Sequence, residues 1–229
     1  MKVIINEKMI KRNGRIGRIA RAGGLIILFG SFIVTFLNQM YVNIAFMALL
    51  FGFMLTQIGI YFGNRWGRHP RPDELIDQGL KGLSDQYSIY HYMTPVAHLL
   101  VGPSGLWVIL PYYQVGKIVY EKNRWKQKGG GFFQRYMRFI GQEGLGRPDL
   151  EAPAEVSAIN TYIKKQNLEN EIPEPNIALV FTSEKAELEL ENPPILTLPL
   201  KSLKNTIRKI GKEKPLTPEL INQINGLFT

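Results

Sequence analysis

Apolar positions along this chain fall into two regimes. From 22 to 64 they run almost without a break, 43 positions with no charged residue, rich in Leu, Ile, Phe, Met, Val and Gly. From 73 onward they come in short bursts at helix or strand spacing, divided by Pro, Gly and charge. A helix that crosses a bilayer needs roughly 20 apolar residues, so the long run fits two crossings joined by a tight turn. Asn38, Gln39, Tyr41 and Asn43 interrupt it near the middle, which predicts helices over 22–37 and 44–62. A soluble hairpin would show a polar face at helical period, and none is visible. A signal peptide would end in a small-x-small site with no second apolar run behind it. Gly30, Ser31, Ala45, Ala48, Gly52, Thr56 and Gly59 are small enough to let two such helices approach closely.

Past the linker the periods change. Leu75, Ile76, Leu80 and Leu83 share one stripe of a helix over 73–83, with Asp73 and Glu74 suited to its first turn. Extended segments are predicted at 87–93, 96–101, 105–110 and 115–121; the second, apart from His98, and the third are continuously apolar, as strands covered on both faces are. A helix over 150–166, strands at 177–181 and 195–198, and helices over 201–210 and 218–227 complete the pattern, the last capped by Thr217 with Pro218 in its first turn. Helices on a mixed sheet make the fold class α/β.

Charge sharpens the division. Residues 1–21 hold seven Lys/Arg against one Glu, residues 65–72 add three Arg, and 73–229 balance 18 bases with 18 acids. The formal +9 therefore flanks the apolar run. The expected organisation is a basic N-terminus at 1–21, a transmembrane hairpin at 22–64, a stiff basic linker at 65–72 and one domain at 73–229. Lys and Arg on both flanks place both ends on the cytoplasmic side of the cell (inner) membrane, with Tyr41, Tyr61 and Trp66 in the headgroup zone. The chain has no Cys, which excludes disulfides and thiolate metal sites.

Several chemistries lack their motifs. His69, His91 and His98 have no metal-ligand spacing, and the two strand histidines read as structural hydrogen-bonding groups. Gly102-Pro103-Ser104-Gly105 leads into a strand, unlike a nucleophile elbow. Gly129-Gly130-Gly131 has no Lys-Ser/Thr behind it and reads as a hinge.

One resemblance can be named from particular residues. Glu74-Leu75, the 80–83 stretch, His98-Leu99-Leu100-Val101-Gly102-Pro103-Ser104-Gly105-Leu106, Gly116-Lys117-Ile118 and Trp125 resemble the nuclease-related domain (NERD) family, whose fold is related to restriction-endonuclease and Holliday-junction-resolvase cores. The stretch from Pro148 to Val156 and the strand at 178–181 fit the family's second half. The resemblance implies a metal-dependent phosphodiesterase, with carboxylates holding Mg²⁺ and a Lys orienting the attacking water. It places the Asp at Ala97, and the Glu and Lys at Leu110 and Tyr112, so that Glu74 alone survives. No Asp or Glu anywhere in the chain is followed two positions later by Lys. The expectation is a nuclease scaffold without its metal site and without a cofactor. Glu143, Asp149 and Glu151, with Glu74, are the candidates for a displaced site, and Mg²⁺ enters only in that alternative.

The remaining signal is a basic segment with interleaved aromatics. Between 117 and 139, seven bases face one Glu, and Trp125, Phe132, Phe133, Tyr136 and Phe139 lie among them. Lys122, Arg124, Trp125, Lys126, Lys128, Phe132, Phe133, Arg135, Tyr136 and Arg138 form the expected contact surface. Such a surface can stack single-stranded nucleic acid or lie on anionic lipid. The adjacent anchor favours the bilayer or a membrane-protein partner. The expected role is binding or scaffolding at the membrane; the alternatives are a tethered nuclease with a displaced site and an accessory subunit of a larger membrane complex.

Overall fold

The computed structural model describes residues 1–37, 39–128, 144–166, 168 and 172–228. The chain forms two compact units: Glu7–Arg71, and Met1–Asn6 together with the described residues from Pro72 onward. The boundary expected at residue 21 is thereby corrected. The first six residues belong to the second unit because Lys2–Ile5 is a β-strand, β1, paired in parallel with a strand of residues 88–91. The helical hairpin is an insertion into the α/β unit, not a segment in front of it.

The hairpin consists of α1 (Glu7–Leu37), a 3-10 turn (Gln39–Tyr41), α2 (Val42–Phe62) and a π-helical turn (Gly63–Gly67). α1 begins well before the expected residue 22. The basic stretch is helical because its apolar and small residues already fall at helical spacing: Ile10, Asn13, Gly14, Gly17 and Ala20 are buried, while the bases between them are exposed. The two helices meet through small residues spaced seven apart, Gly17, Gly24 and Ser31 on α1 and Ala45, Gly52 and Gly59 on α2. A Cβ added at Gly24 would stand 2.8 Å from the Thr56 nitrogen and 2.9 Å from the Gly52 oxygen, so backbone packs on backbone. Hydroxyls inside this apolar unit are satisfied locally: Ser31 Oγ donates to Ile27 O at 2.7 Å and Thr56 Oγ1 to Gly52 O at 2.8 Å. Large apolar side chains instead cover the outside, among them Ile26, Phe29, Phe36, Phe46 and Met54. Both helices are long and apolar enough to cross a membrane.

The second unit is α/β. A mixed six-stranded sheet runs in the order β1, β2 (Ser88–His91), β3 (His98–Gly102), β4 (Gly105–Tyr112), β7 (Asn176–Phe181), β9 (Leu196–Pro199). β2, β3 and β4 are antiparallel neighbours; β1 on β2, and β7 and β9 beyond β4, are parallel. A smaller sheet holds β6 (Arg124–Lys128), β5 (Gly116–Glu121) and β8 (Ala186–Leu190) in that order. Alternation along the central strands builds two cores. Leu99, Val101, Leu106, Val108 and Leu110 pack with α4 (Pro148–Lys165) and α6 (Pro218–Gly226). Leu100, Trp107, Ile109, Ala178 and Val180 pack with α3 (Pro72–Leu80) and α5 (Leu200–Glu213). The tight turn between β3 and β4 needs its glycines. Gly105 has φ +103°, and a Cβ on Gly102 would lie 2.2 Å from the Tyr87 ring.

Candidate functional site

Among the described residues, the acids expected for a displaced metal site do not assemble. Glu74 sits in the first turn of α3, whose Ile76 and Leu80 pack on one face of the large sheet. Asp149 and Glu151 sit in the first turn of α4, whose Ala152 and Ile159 pack on the other. Glu143 lies outside the described residues. Asp149 is engaged by Arg147 in a two-pronged ion pair, Nη2 to Oδ2 at 2.6 Å and Nε to Oδ1 at 3.0 Å, which holds its carboxyl below the usual range. Glu151 accepts the Tyr112 hydroxyl at 2.6 Å. Among the described residues no three acid or histidine side chains come together as metal ligands.

The positions that the resemblance assigns to catalysis are occupied by packing. Leu110 is 7% exposed and part of the core beneath α4. Tyr112, where the family pattern has Lys, is equally buried and stacks on Phe181 with ring centroids 5.5 Å apart. A neutral phenol tied to Glu151 can orient a carboxylate, but it supplies no positive charge to a water.

On the opposite face lies a polar chain that the linear pattern hides. His91 and His98 are cross-strand partners on β2 and β3. Their Nδ1 atoms are 2.8 Å apart, and His91 Nε2 lies 3.1 Å from Asp77 Oδ1. With His91 Nε2 donating to the carboxylate, His91 Nδ1 accepts from His98 Nδ1, which fixes both tautomers. The buried Asp73 accepts the Tyr92 hydroxyl at 3.5 Å beside them. Asp73, Ile76, Asp77 and Leu80 thus share the inward stripe of α3, half of it acidic and answered by strand residues. The arrangement is linear, its histidines buried and Asp77 half-buried at its end, a lock between helix and sheet. The only sequence signal for it was the pair of strand histidines seven residues apart.

The basic surface divides as well. Phe132, Phe133, Arg135, Tyr136 and Arg138 lie outside the described residues. Lys122 and Asn123 both have positive φ, +52° and +59°, and make the two-residue turn of the β5–β6 hairpin. Arg124, Lys126 and Lys128 project from one face of β6. Trp125 points the other way and is not a surface residue: it is 4% exposed, packed on Tyr120 at 4.6 Å, and its Nε1 has no hydrogen-bond partner among the described residues. Strand alternation decides this, since a residue between two outward bases must turn inward. Lys128 is paired with Glu121, whose carboxyl it holds down, and Lys117 with Glu189 at 2.6 Å.

No protein-family model, curated protein or solved structure matches the chain.

Proposed function

We propose that this chain is a two-span membrane-anchored binding or scaffolding module whose folded domain is a catalytically silent relative of the NERD and restriction-endonuclease scaffold. The observation that carries the anchor is the surface of the hairpin, where backbones meet through glycines inside and Ile, Phe, Leu and Met face outward all round. In water such a surface would be an aggregation site; in hydrocarbon it is the required exterior. The pairing of β1 with β2 supports a hairpin over a single crossing, because both ends of the insertion must return to one sheet. The basic flanks then favour the cytoplasmic side of the cell membrane. Silence as a nuclease is supported by Leu110 and Tyr112 in the core and by Glu74 and Asp149 on helices that pack on opposite faces.

Two measurements test the reading. Alkaline carbonate washing should leave the full chain in the membrane pellet, and detergent should release it; release by carbonate refutes the anchor. The purified chain with Mg²⁺ or Mn²⁺ should leave labelled DNA and RNA intact. Cleavage abolished by Glu74→Ala or Asp149→Ala would make it a tethered nuclease instead.

A further inference from the structure

We propose that the outer face of the small sheet docks on anionic lipid headgroups, an inference that rests on the membrane anchoring above. The register of β5 and β6 sets the face: Glu121 stands opposite Arg124, Val119 opposite Lys126, and Lys117 opposite Lys128. Val119 is buried, so among the described residues the face presents charge and no exposed apolar side chain. Lys128 and Lys117 are neutralised by Glu121 and Glu189. Lys122 at the turn, Arg124 at the strand start and Lys126 in mid-strand make no ion pair among the described residues, although Glu121 lies within electrostatic reach of Lys122 and Lys126, and Asp149 of Arg124. Acids follow on β8, where Glu187 and Glu189 stand on the same face. The sheet therefore carries a polarised face, basic along the edge strand and acidic at the far side.

The chemistry favours a lipid surface over nucleic acid. Binding single strands by this face would need aromatic rings to stack bases, and Trp125, the aromatic within the basic strand, is buried beneath the opposite face. A plane of phosphates needs only mobile bases at its own height. The tether makes weak attraction sufficient: the domain joins the hairpin at two chain connections, Asn6 to Glu7 and Arg71 to Pro72, so headgroups are present at high effective concentration. Each base near an anionic leaflet biases docking by roughly fivefold, and three by roughly a hundredfold.

The full chain in lipid nanodiscs tests this. Lys122 and Lys126 would be acylated with a water-soluble amine reagent, read by mass spectrometry, in discs of phosphatidylcholine and in discs with one-third phosphatidylglycerol. Both lysines should react roughly fivefold more slowly in the anionic discs, while Lys209 and Lys212 on α5 keep one rate in both. High salt, or Arg124→Glu, should remove the protection at Lys122, with an unchanged circular dichroism spectrum showing that the variant is folded; Lys126→Ser is the milder second variant. Equal rates in the two lipids overturn the proposal. Protection that appears only when single-stranded nucleic acid is added overturns it in favour of that partner. Failure of the anchor is distinguishable, since the chain would then elute apart from the discs.

Discussion

Gly59→Leu tests whether the hairpin is held by backbone contact. An added Cβ at this position would stand 2.5 Å from Arg21 N and 2.8 Å from Arg21 Cα. Neither atom can swing away, as a side-chain tip could, so the helices must part by about 1 Å, enough to forfeit a quarter to a half of each dispersion contact nearby. Overpacking of this kind costs about 3 kcal/mol. Leu in place of Gly returns about 1 kcal/mol of helix propensity, leaving a net loss of about 2 kcal/mol. Gly30→Leu is the matched control, because nothing lies within 4 Å of its Cβ and only the propensity gain applies. Melting of the helical signal in mild detergent should fall by roughly 4–8 °C for Gly59→Leu and stay level or rise for Gly30→Leu. If both variants move together, or Gly59→Leu melts at or above the parent, the seven-residue glycine contact is not what joins the helices.

Three further outcomes follow from the α/β unit. A Cβ on Gly211 would lie 2.6 Å from the Tyr87 hydroxyl, so Gly211→Ala should destabilise by about 1–2 kcal/mol and Tyr87→Phe should restore about half of that. Denaturant titration of the double-mutant cycle checks it, and strict additivity would refute the contact. His91→Leu removes the middle of the Asp77–His91–His98 chain and should cost about 2–3 kcal/mol, because buried partners are left unsatisfied; a loss within 0.5 kcal/mol, the ordinary range for an exposed site, would show that the chain is incidental. Arg147 holds the Asp149 carboxyl below its usual range, so the stabilisation it brings is present above the normal carboxylate value and is lost as pH falls through the depressed one. Carboxyl NMR should show Asp149 titrating low and moving back up in Arg147→Ala; an unmoved titration would refute the pairing.

The strands most legible in the sequence were those with a single environment. The β3 and β4 segments, apolar apart from His98 and separated by a Gly-Pro-Ser-Gly turn, lie within a residue or two of their expected bounds, because burial on both faces leaves few polar positions to confuse the period. The two additional strands of the small sheet were obscured by their own function as edges. In β6 (Arg-Trp-Lys-Gln-Lys) and β8 (Ala-Glu-Leu-Glu-Leu), charge occupies every second position, as expected of edge strands that must not pair with other chains. Charge density hid the alternation that Trp125 and Leu188 obey. The inward acids of α3 were illegible for a different reason. Asp73 and Asp77 are satisfied by Tyr92 and His91 from β2 and its end, and a local helical pattern carries no record of cross-element partners.

β1 was the harder miss, and its consequence is larger. Lys2-Val3-Ile4-Ile5 joined a basic stretch in linear order, yet 65 residues of insertion separate it from the helix that resumes the domain. Four residues of parallel pairing on β2 tie together the two ends of that insertion. A topology in which only one of the two helices crosses would put β1 on the far side of the bilayer, stripping β2 of its neighbour and exposing the core face of Ile4. Two crossings keep the ladder intact, and so does none. On the proposed reading the apolar exterior weighs against none, since in water it would be an aggregation site, and the basic flanks favour the side. On the proposed anchoring, the sheet constrains the parity of the crossings, the apolar exterior of the hairpin supports their existence, and the Lys/Arg distribution supports their direction. Each of the three rests on different residues.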